Sequence, residues 1–557
     1  MDNLRLILFF TLAFLGLMIY QAWQQDYAPR EATDAAPTAQ QGEPTAGFSG
    51  GIGADAGGVP EVVPSSVSGM PAAATSRVPE SDIQTIQVST DLLKLEISTR
   101  GGTVQRAYLL DYPVSLDTPN AKVELFTPDA SNFYIAQSGL IGSGQESAPT
   151  HETRYQAKKL HYSLDDGVDE LDIPLVWKNG KGVVVTKHLL LHRGSYLIDV
   201  RYDIDNRAGT AWTVQDYGQL QRTEPKEGQS RFVASAFVGG VYYNPRDKYE
   251  KVDFDEMAKE RLDIESDRGW LAMIQHYFLS AWIPPKEQME HYYTNALAGG
   301  RYLIGSYSPA ISVAPGSQGS LSRRLYVGPK LQDQLQSVAE GLELTVDYGW
   351  LTVIAKPIYW LLETIHGLLG NWGWSIIVLT LLIKAAFYKL SETSYKSMAN
   401  MRKFTPRVQA LKDRYGDDKQ RFNQAMMELY KKEKVNPLGG CLPIAVQIPV
   451  FIALYWVLLE SVEMRQAPWI LWIQSLSEKD PYFILPLIMG VSMFVQQKLN
   501  PAPPDPMQAK IMMSLPFVFT VFFAFFPAGL VLYWVVNNII SIAQQWYITR
   551  KIEKSAT

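Results

Sequence analysis

The sequence predicts a multi-span α-helical membrane protein with six transmembrane helices, a large antiparallel β-sandwich outside the membrane and a cytoplasmic helical hairpin. Three observations lead there. Apolar runs that read as spans occur at residues 4–23, 372–390, 440–460, 482–497, 511–526 and 529–547. Between the first two, short alternating runs broken by turn residues continue from Ile83 to Tyr326. The segment 391–434 is dense in Lys and Arg.

The opening region, 1–27, reads as an anchor. Its apolar run ends in Tyr20 and Trp23, which suit an interfacial belt. The n-region has only Arg5 and no A-x-A pattern closes the run, so an uncleaved anchor is expected over a signal peptide. Cys441 is the single cysteine and lies far from this end, which excludes a lipoprotein anchor and any internal disulfide. It reads as a small buried apolar side chain. Residues 28–80 are rich in Ala, Gly, Pro, Ser and Thr without an apolar period, the composition of a flexible tether.

From 81 to 330 the pattern is that of strands. Leu93-Lys94-Leu95-Glu96-Ile97 alternates, Arg100-Gly101-Gly102 turns, and runs at 183–191 and 196–204 flank His192-Arg193-Gly194-Ser195 as a hairpin. Many strands at that spacing predict a sandwich. It contains no metal-ligand spacing, nucleophile elbow or phosphate loop, so no cofactor is expected, and its histidines read as surface or packing residues. Residues 331–371 follow as a short helix and an amphipathic one carrying Trp360 and His366, suited to the membrane surface.

An even number of spans puts both termini on one side. The basic segment, with Arg402, Lys403, Arg407, Lys412 and Arg414 at its centre, puts that side in the cytoplasm. The sandwich is then outside, in the periplasm of a Gram-negative cell. The net charge of -5 over 557 residues says little by itself. Within 391–435, Met398, Met401, Val408, Leu411 and Tyr415 recur at heptad-like intervals. Gly416 then breaks the run, and Asp417 or Asp418 can cap a return helix bearing Phe422, Met426 and Leu429. Two such faces pack on each other or on a partner. Basic helices suit nucleic acid, here ribosomal RNA rather than DNA, and equally suit a solvated face that supplies topology charge.

Lys384 is the most informative residue, a charge about 18 Å into a span by helical rise. A lysine at a helix centre costs roughly 2.5 to 3.5 kcal/mol on insertion scales. Two readings fit it alone: snorkelling to the cytoplasmic edge, or a functional site. Its company favours the second. Thr380 lies one turn earlier, Gln447 lies inside the next span, and Tyr533, Asn537, Ser541 and Gln544 share one face of the last helix. Interhelical hydrogen bonding accounts for any single one of these. A charge and a stripe at similar depth argue for a wet cavity inside a small bundle.

Several segments resemble the YidC family of bacterial membrane protein insertases. In the helical half these are Asn436-Pro437-Leu438-Gly439-Gly440-Cys441, Arg465-Gln466-Ala467-Pro468, Asp480-Pro481-Tyr482 and Phe526-Pro527-Ala528-Gly529. In the outer domain Lys248-Tyr249-Glu250-Lys251, Gly269-Trp270 and Ala281-Trp282-Ile283-Pro284 resemble the large periplasmic domain of its Gram-negative form. The resemblance implies a five-helix insertase core in the inner membrane, with a hydrophilic groove open to cytoplasm and lipid and closed outside. It also implies no enzymatic activity. Its clients would be nascent integral membrane proteins, handled alone or beside the Sec translocon, SecYEG with SecDF. Membrane lipids and the ribosome would be further partners.

Matched by motif, Lys384 stands where the family usually has arginine, with Thr380 beside it. Tyr533 and Trp534 take the place of an aromatic pair, and Gln447, Ile448 and Pro449 fall where clients are contacted. The lysine is a departure, since a desolvated lysine can lose its proton and arginine cannot. The tail, 548–557, is a second departure: Arg550, Lys551 and Lys554 close a short end where some relatives extend further. Two other classes stay open. A small-solute transporter would show paired repeats, and a carbohydrate-binding envelope protein would show a paired-carboxylate cleft in the sandwich.

Overall fold

The computed structural model describes residues 82–142, 147–225, 237–416, 418–433, 442–500 and 506–554, together with Gly58. The anchor at 1–27, the rest of the tether and the motif from Asn436 to Cys441 lie outside the described residues.

Two large sheets stack face to face. One has eleven strands among the described residues and runs from Asp263–Ser266 at one edge through Glu290–Leu297, Arg301–Tyr307, Trp212–Thr223 and Tyr134–Gly142 to Thr85–Ser89 and His161–Ser163 at the other. The second has nine, with Phe278–Ile283, Ser317–Pro329, Leu197–Asn206 and Val183–His192 at its centre. Pairing is antiparallel except where Gln87 meets His161. The expected hairpin is present, Ile198 opposite Leu191 through Asn206 opposite Val183.

Alternation builds the sandwich core and also puts ionisable side chains inside it. Along Val183–His192 the inward positions are Val183, Val185, Lys187, Leu189 and Leu191. Lys187 is fully buried, and its Nζ donates to Gly101 O at 2.7 Å, Ser138 Oγ at 2.9 Å and Ser138 O at 3.2 Å. It thereby ties the two sheets together. The inward Asp216 and Glu290 both converge on buried Arg323, whose Nε meets Asp216 Oδ2 at 2.5 Å. These carboxylates are sealed in the core and form no cleft.

The helical half comprises a short α2 (Gln332–Val338), then α3 (Thr352–Leu369), α4 (Trp372–Ala386), α5 (Tyr388–Tyr415), α6 (Lys419–Lys432), α7 (Leu442–Glu460), α8 (Ile484–Leu499), α9 (Pro506–Phe523) and α10 (Ala528–Lys554); α1 (Phe254–Lys259) belongs to the sandwich. Among the described residues no single helix is long and apolar enough to cross a membrane. The segment 372–390 is not one straight helix. It breaks at Phe387, whose N–H turns to Ile383 O and Ala385 O, and the chain resumes at 66°. The break falls where the apolar run gives way to Lys389, Ser391 and Glu392, so the following helix has no apolar cylinder to continue. Helix α3 buries Ala355, Ile358, Tyr359, Leu362 and Ile365 on one face and exposes Val353, Trp360 and Leu368 on the other, as an amphipathic surface helix would. Gly490 of α8 lies so near α9 that a Cβ there would be 2.0 Å from Thr520 Oγ1, so only glycine allows that approach.

The motifs at 248–270 and 465–482 form the joint between the halves. Trp270 is stacked by Tyr243 and donates its Nε1 to Glu340 O, while Lys251 pairs with Asp347 at 2.5 Å. This fixes the connection that leads into α3. From the other side, Arg465 donates to Pro113 O at 2.7 Å and Val114 O at 3.1 Å, and His276 Nε2 donates to Leu459 O at 2.8 Å. Burial pushes the His276 pKa down to about 4, so the ring is neutral at this contact. Val462 packs in the sandwich core, and Val346 and Tyr348 pack in the core of the bundle. The helical half thus inserts Val462 into the sandwich, and the connection leading into α3 is anchored in the bundle.

Burial lowers the Lys187 pKa from 10.5 to about 7. Between those values the unfolded chain holds a proton that the folded chain has released. The stability contributed by this group is therefore complete above pH 10.5 and is lost as pH falls to 7. Thermal unfolding of the sandwich across that range should show Lys187→Met gaining on wild type as pH falls, levelling below pH 7. Parallel pH profiles for the two proteins would contradict the assignment.

Candidate functional site

Four helices bring polar groups to one point in an otherwise apolar bundle. Lys384 near the end of α4 is 7% exposed, and its Nζ donates to Ser541 Oγ of α10 at 2.7 Å and reaches Gln447 Oε1 of α7 at 3.5 Å. Gln447 Nε2 donates in turn to Asn537 Oδ1, one turn before Ser541. Ser541 also donates to Asn537 O at 2.7 Å. Tyr395 of α5 is buried against the same Ser541. Among the described residues no carboxylate pairs with Lys384.

The sequence had singled out most of this set. Thr380 is buried one turn before Lys384, but its hydroxyl returns to Ile376 O and takes no part in the network. Gln544 is half-buried with an Oε1 that finds no partner among the described residues. Asn537 and Ser541 are buried, so the stripe on α10 faces neighbouring helices. Ile448 is exposed on the outer side of α7, and Pro449 interrupts that helix's hydrogen bonding from within. Tyr395 was missed because the basic segment was read as beginning beyond the span. Its place beside Ser541 depends on the bend at Phe387, which the sequence pattern did not announce. Asn538, which donates to Ser492 Oγ of α8 at 3.0 Å, was missed as well.

An aromatic layer closes one side of the cluster. Phe451, one turn beyond Gln447, meets Trp534 edge-on at 4.6 Å and stacks on Tyr533 at 6.2 Å, while Phe523 leans on Trp534. This layer lies toward the sandwich, because α7 runs on from it to the joint at Leu459. The start of α10 is likewise held by loop carbonyls, Glu478 O and Leu476 O accepting from Ala528 and Gly529. Asp480 of the same loop is buried, accepts from Trp472 Nε1 at 3.0 Å and caps α8 through Leu485 N at 2.7 Å. The motifs there thus set the depth of α8 and α10.

On the far side lies the basic hairpin. Asp418 caps α6 by accepting from Arg421 N, and Asp417 lies outside the described residues. Val408 is buried, and Met398, Met401, Leu411 and Tyr415 are half-buried along α5. Arg407 pairs with Glu433 at 2.8 Å. Lys403, Arg407 and Arg414 are exposed and Lys412 is half-buried; the Arg402 side chain lies outside the described residues.

Fold and site together define a class: a β-sandwich clamped onto a small apolar bundle that encloses a lysine-centred polar cluster. Comparison with known proteins is specific. The family described as YidC periplasmic domain matches residues 85–361, and that described as 60Kd inner membrane protein matches 364–555. A membrane protein insertase YidC from Methylococcus capsulatus is 55% identical over 557 residues, covering 100% of this chain and 99% of its own length. One from Thioalkalivibrio sulfidiphilus is 52% identical over 569 residues, with 100% and 99% coverage. A crystal structure of an active YidC insertase with its first transmembrane domain resolved aligns with 83% of this chain and 92% of its own, at 19% identity and a TM-score of 0.38. The chain belongs to the YidC family of membrane protein insertases, inner membrane proteins with a periplasmic domain and not enzymes.

The contact between Lys384 and Ser541 has a measurable strength. A double-mutant cycle of Lys384→Met and Ser541→Ala, read by unfolding in detergent, should give a coupling of about 0.6 kcal/mol, the average for interhelical hydrogen bonds in a membrane protein, whose maximum is about 1.7 kcal/mol. Additive effects would mean that the two groups do not support one another.

Proposed function

We propose that the polar cluster around Lys384 is the client site of an insertase and membrane chaperone. It receives the polar part of a nascent inner-membrane protein before the client's hydrophobic segment partitions into lipid. The observation that carries this reading is the buried ammonium of Lys384, bonded to Ser541 and within reach of Gln447, with no carboxylate beside it among the described residues. Such a group is left with a charge to share, and an acidic or strongly polar client segment can take it. The aromatic layer of Phe451, Phe523, Tyr533 and Trp534 supports a site closed toward the sandwich and reached from the hairpin side. Hydrophobic partition supplies the drive.

In this reading the six-span topology holds, with both termini in the cytoplasm, the sandwich in the periplasm and α3 on the membrane surface. Ile448 and Pro449 face the client's path along α7, and Asn537, Ser541 and Gln544 line the entry. Helices α5 and α6 form the cytoplasmic docking hairpin, whose Arg402, Lys403, Arg407, Lys412 and Arg414 meet ribosomal RNA or anionic lipid. SecYEG and SecDF are partners for larger clients.

In a strain depleted of its own insertase, Lys384→Arg should sustain insertion. Lys384→Glu should reduce it several-fold for clients with acidic outer tails, because like charges repel where opposite ones had met. Normal insertion by Lys384→Glu would remove the cation from the mechanism.

Leu411→Pro should lower insertion while leaving the client site intact, since a second proline beside Pro406 in α5 costs roughly 3 kcal/mol of helix. Site-specific crosslinks from Tyr533 to a stalled client should persist in that variant if the hairpin only docks. Their disappearance would assign the hairpin to the site itself.

A further inference from the structure

A patch on the outer face of the eleven-stranded sheet, around Gln219 and Leu303, is buried without belonging to either core. Along Trp212–Thr223 the residues Trp212, Val214 and Leu220 point into the sandwich, so Gln219 and Gln221 point away from it. Register sets Gln219 between Gly305 and Gln137, and Gln221 between Leu303 and Ile135. An outward face of an antiparallel sheet is ordinarily solvated. Here Gln219 is 0%, Leu303 1% and Gln221 3% exposed, and neither Leu303 nor Ile135 joins the sandwich's apolar cluster. Gln219 is held in place, donating to Gln137 Oε1 and accepting from Tyr293 Oη, both at 2.9 Å.

Gly58 lies against this face, although it is far upstream of the first strand, Thr85–Ser89. A Cβ on it would lie 3.1 Å from Leu303 Cδ1 and 3.5 Å from both Gln219 Nε2 and Leu297 Cδ1. Its φ of +77° belongs to the region glycine favours. The surrounding sequence, Gly57-Gly58-Val59-Pro60-Glu61-Val62-Val63-Pro64, concentrates valine in a stretch otherwise made of small and polar residues.

We propose that this outer face is a docking surface for the chain's own tether, with the segment that carries Gly58 as its occupant. Gly58 allows the backbone close to Leu303 and Gln219, and the valines that follow it in sequence have the apolar chemistry of Leu297, Leu303 and Ile135. Docking divides the tether. The free arm between the membrane anchor and the sandwich shortens to residues 28–57, and its typical span falls from about 40 Å to about 30 Å for a coil of that composition. The sandwich is thereby held nearer the anchor, and the same face is closed to other extended peptides.

Hydrogen exchange on the full chain in lipid nanodiscs tests this. Amides of residues 57–63 should exchange at least ten-fold more slowly than those of 35–50, and Leu303→Glu should erase the difference while the sandwich strands keep their protection. Should Leu303→Glu loosen the strands, Gly58→Val, whose Cβ would crowd Leu303 Cδ1 at 3.1 Å on a backbone of φ +77°, provides the release. Equal exchange across the tether in wild type, or protection unaffected by both variants, would overturn the proposal. A Gly58→Cys, Leu297→Cys pair in a Cys441→Ser background should close a disulfide within one chain. A disulfide-linked dimer in its place would make a second copy the occupant and overturn docking in cis.

Discussion

An ammonium group enclosed by apolar helices must be surrounded by oxygen, and in this bundle the oxygen has to come from other helices, because α4 carries no acceptor for it beyond Thr380, whose hydroxyl bonds back to its own helix. That requirement fixes the rotation of α10, which must present Ser541 and Asn537, and the depth of α7, which must present Gln447. It also gives α5 a reason to fold back at Phe387, since the turn keeps Tyr395 beside Ser541. Once these four helices are set, the aromatic layer one turn away has a defined space to fill. α8 follows through Asn538 and Ser492, and α9 packs on α8 through the gap at Gly490.

The second constraint is mechanical. A sandwich of this size on a small bundle would swing on its linker unless fixed at several points. Two separate segments fix it. The chain leaving the sandwich is held by Trp270 and Lys251, and the loop after α7 returns through Val462 and Arg465 to the sandwich's other side. Load on the sandwich therefore reaches the far end of the very helix that carries Gln447.

Patterning made the architecture legible. Period-two alternation revealed the strands, and the hairpin expected around His192–Ser195 is present. Polar spacing on α10 and the lone lysine pointed to residues that converge in space. What was not legible has physical reasons. Lys187 occupies an inward slot in a Val and Leu alternation, and sequence does not reveal which backbone carbonyls a turn such as Arg100-Gly101-Gly102 will bring to it. Tyr395 needed knowledge of the bend at Phe387. Thr380 has the right spacing, but a threonine in a helix readily bonds its own backbone, and here it does.

The joint between the halves has a consequence for how the family diverges. Arg465 and His276 bind main-chain carbonyls, those of Pro113, Val114 and Leu459, and a carbonyl is supplied by whatever residue occupies the position. Substitutions at those three positions leave the contacts in place so long as the backbone path is kept. Paired compensating changes between sandwich and bundle are then not required there, and methods that infer contacts from correlated substitution would pass over this link between the halves.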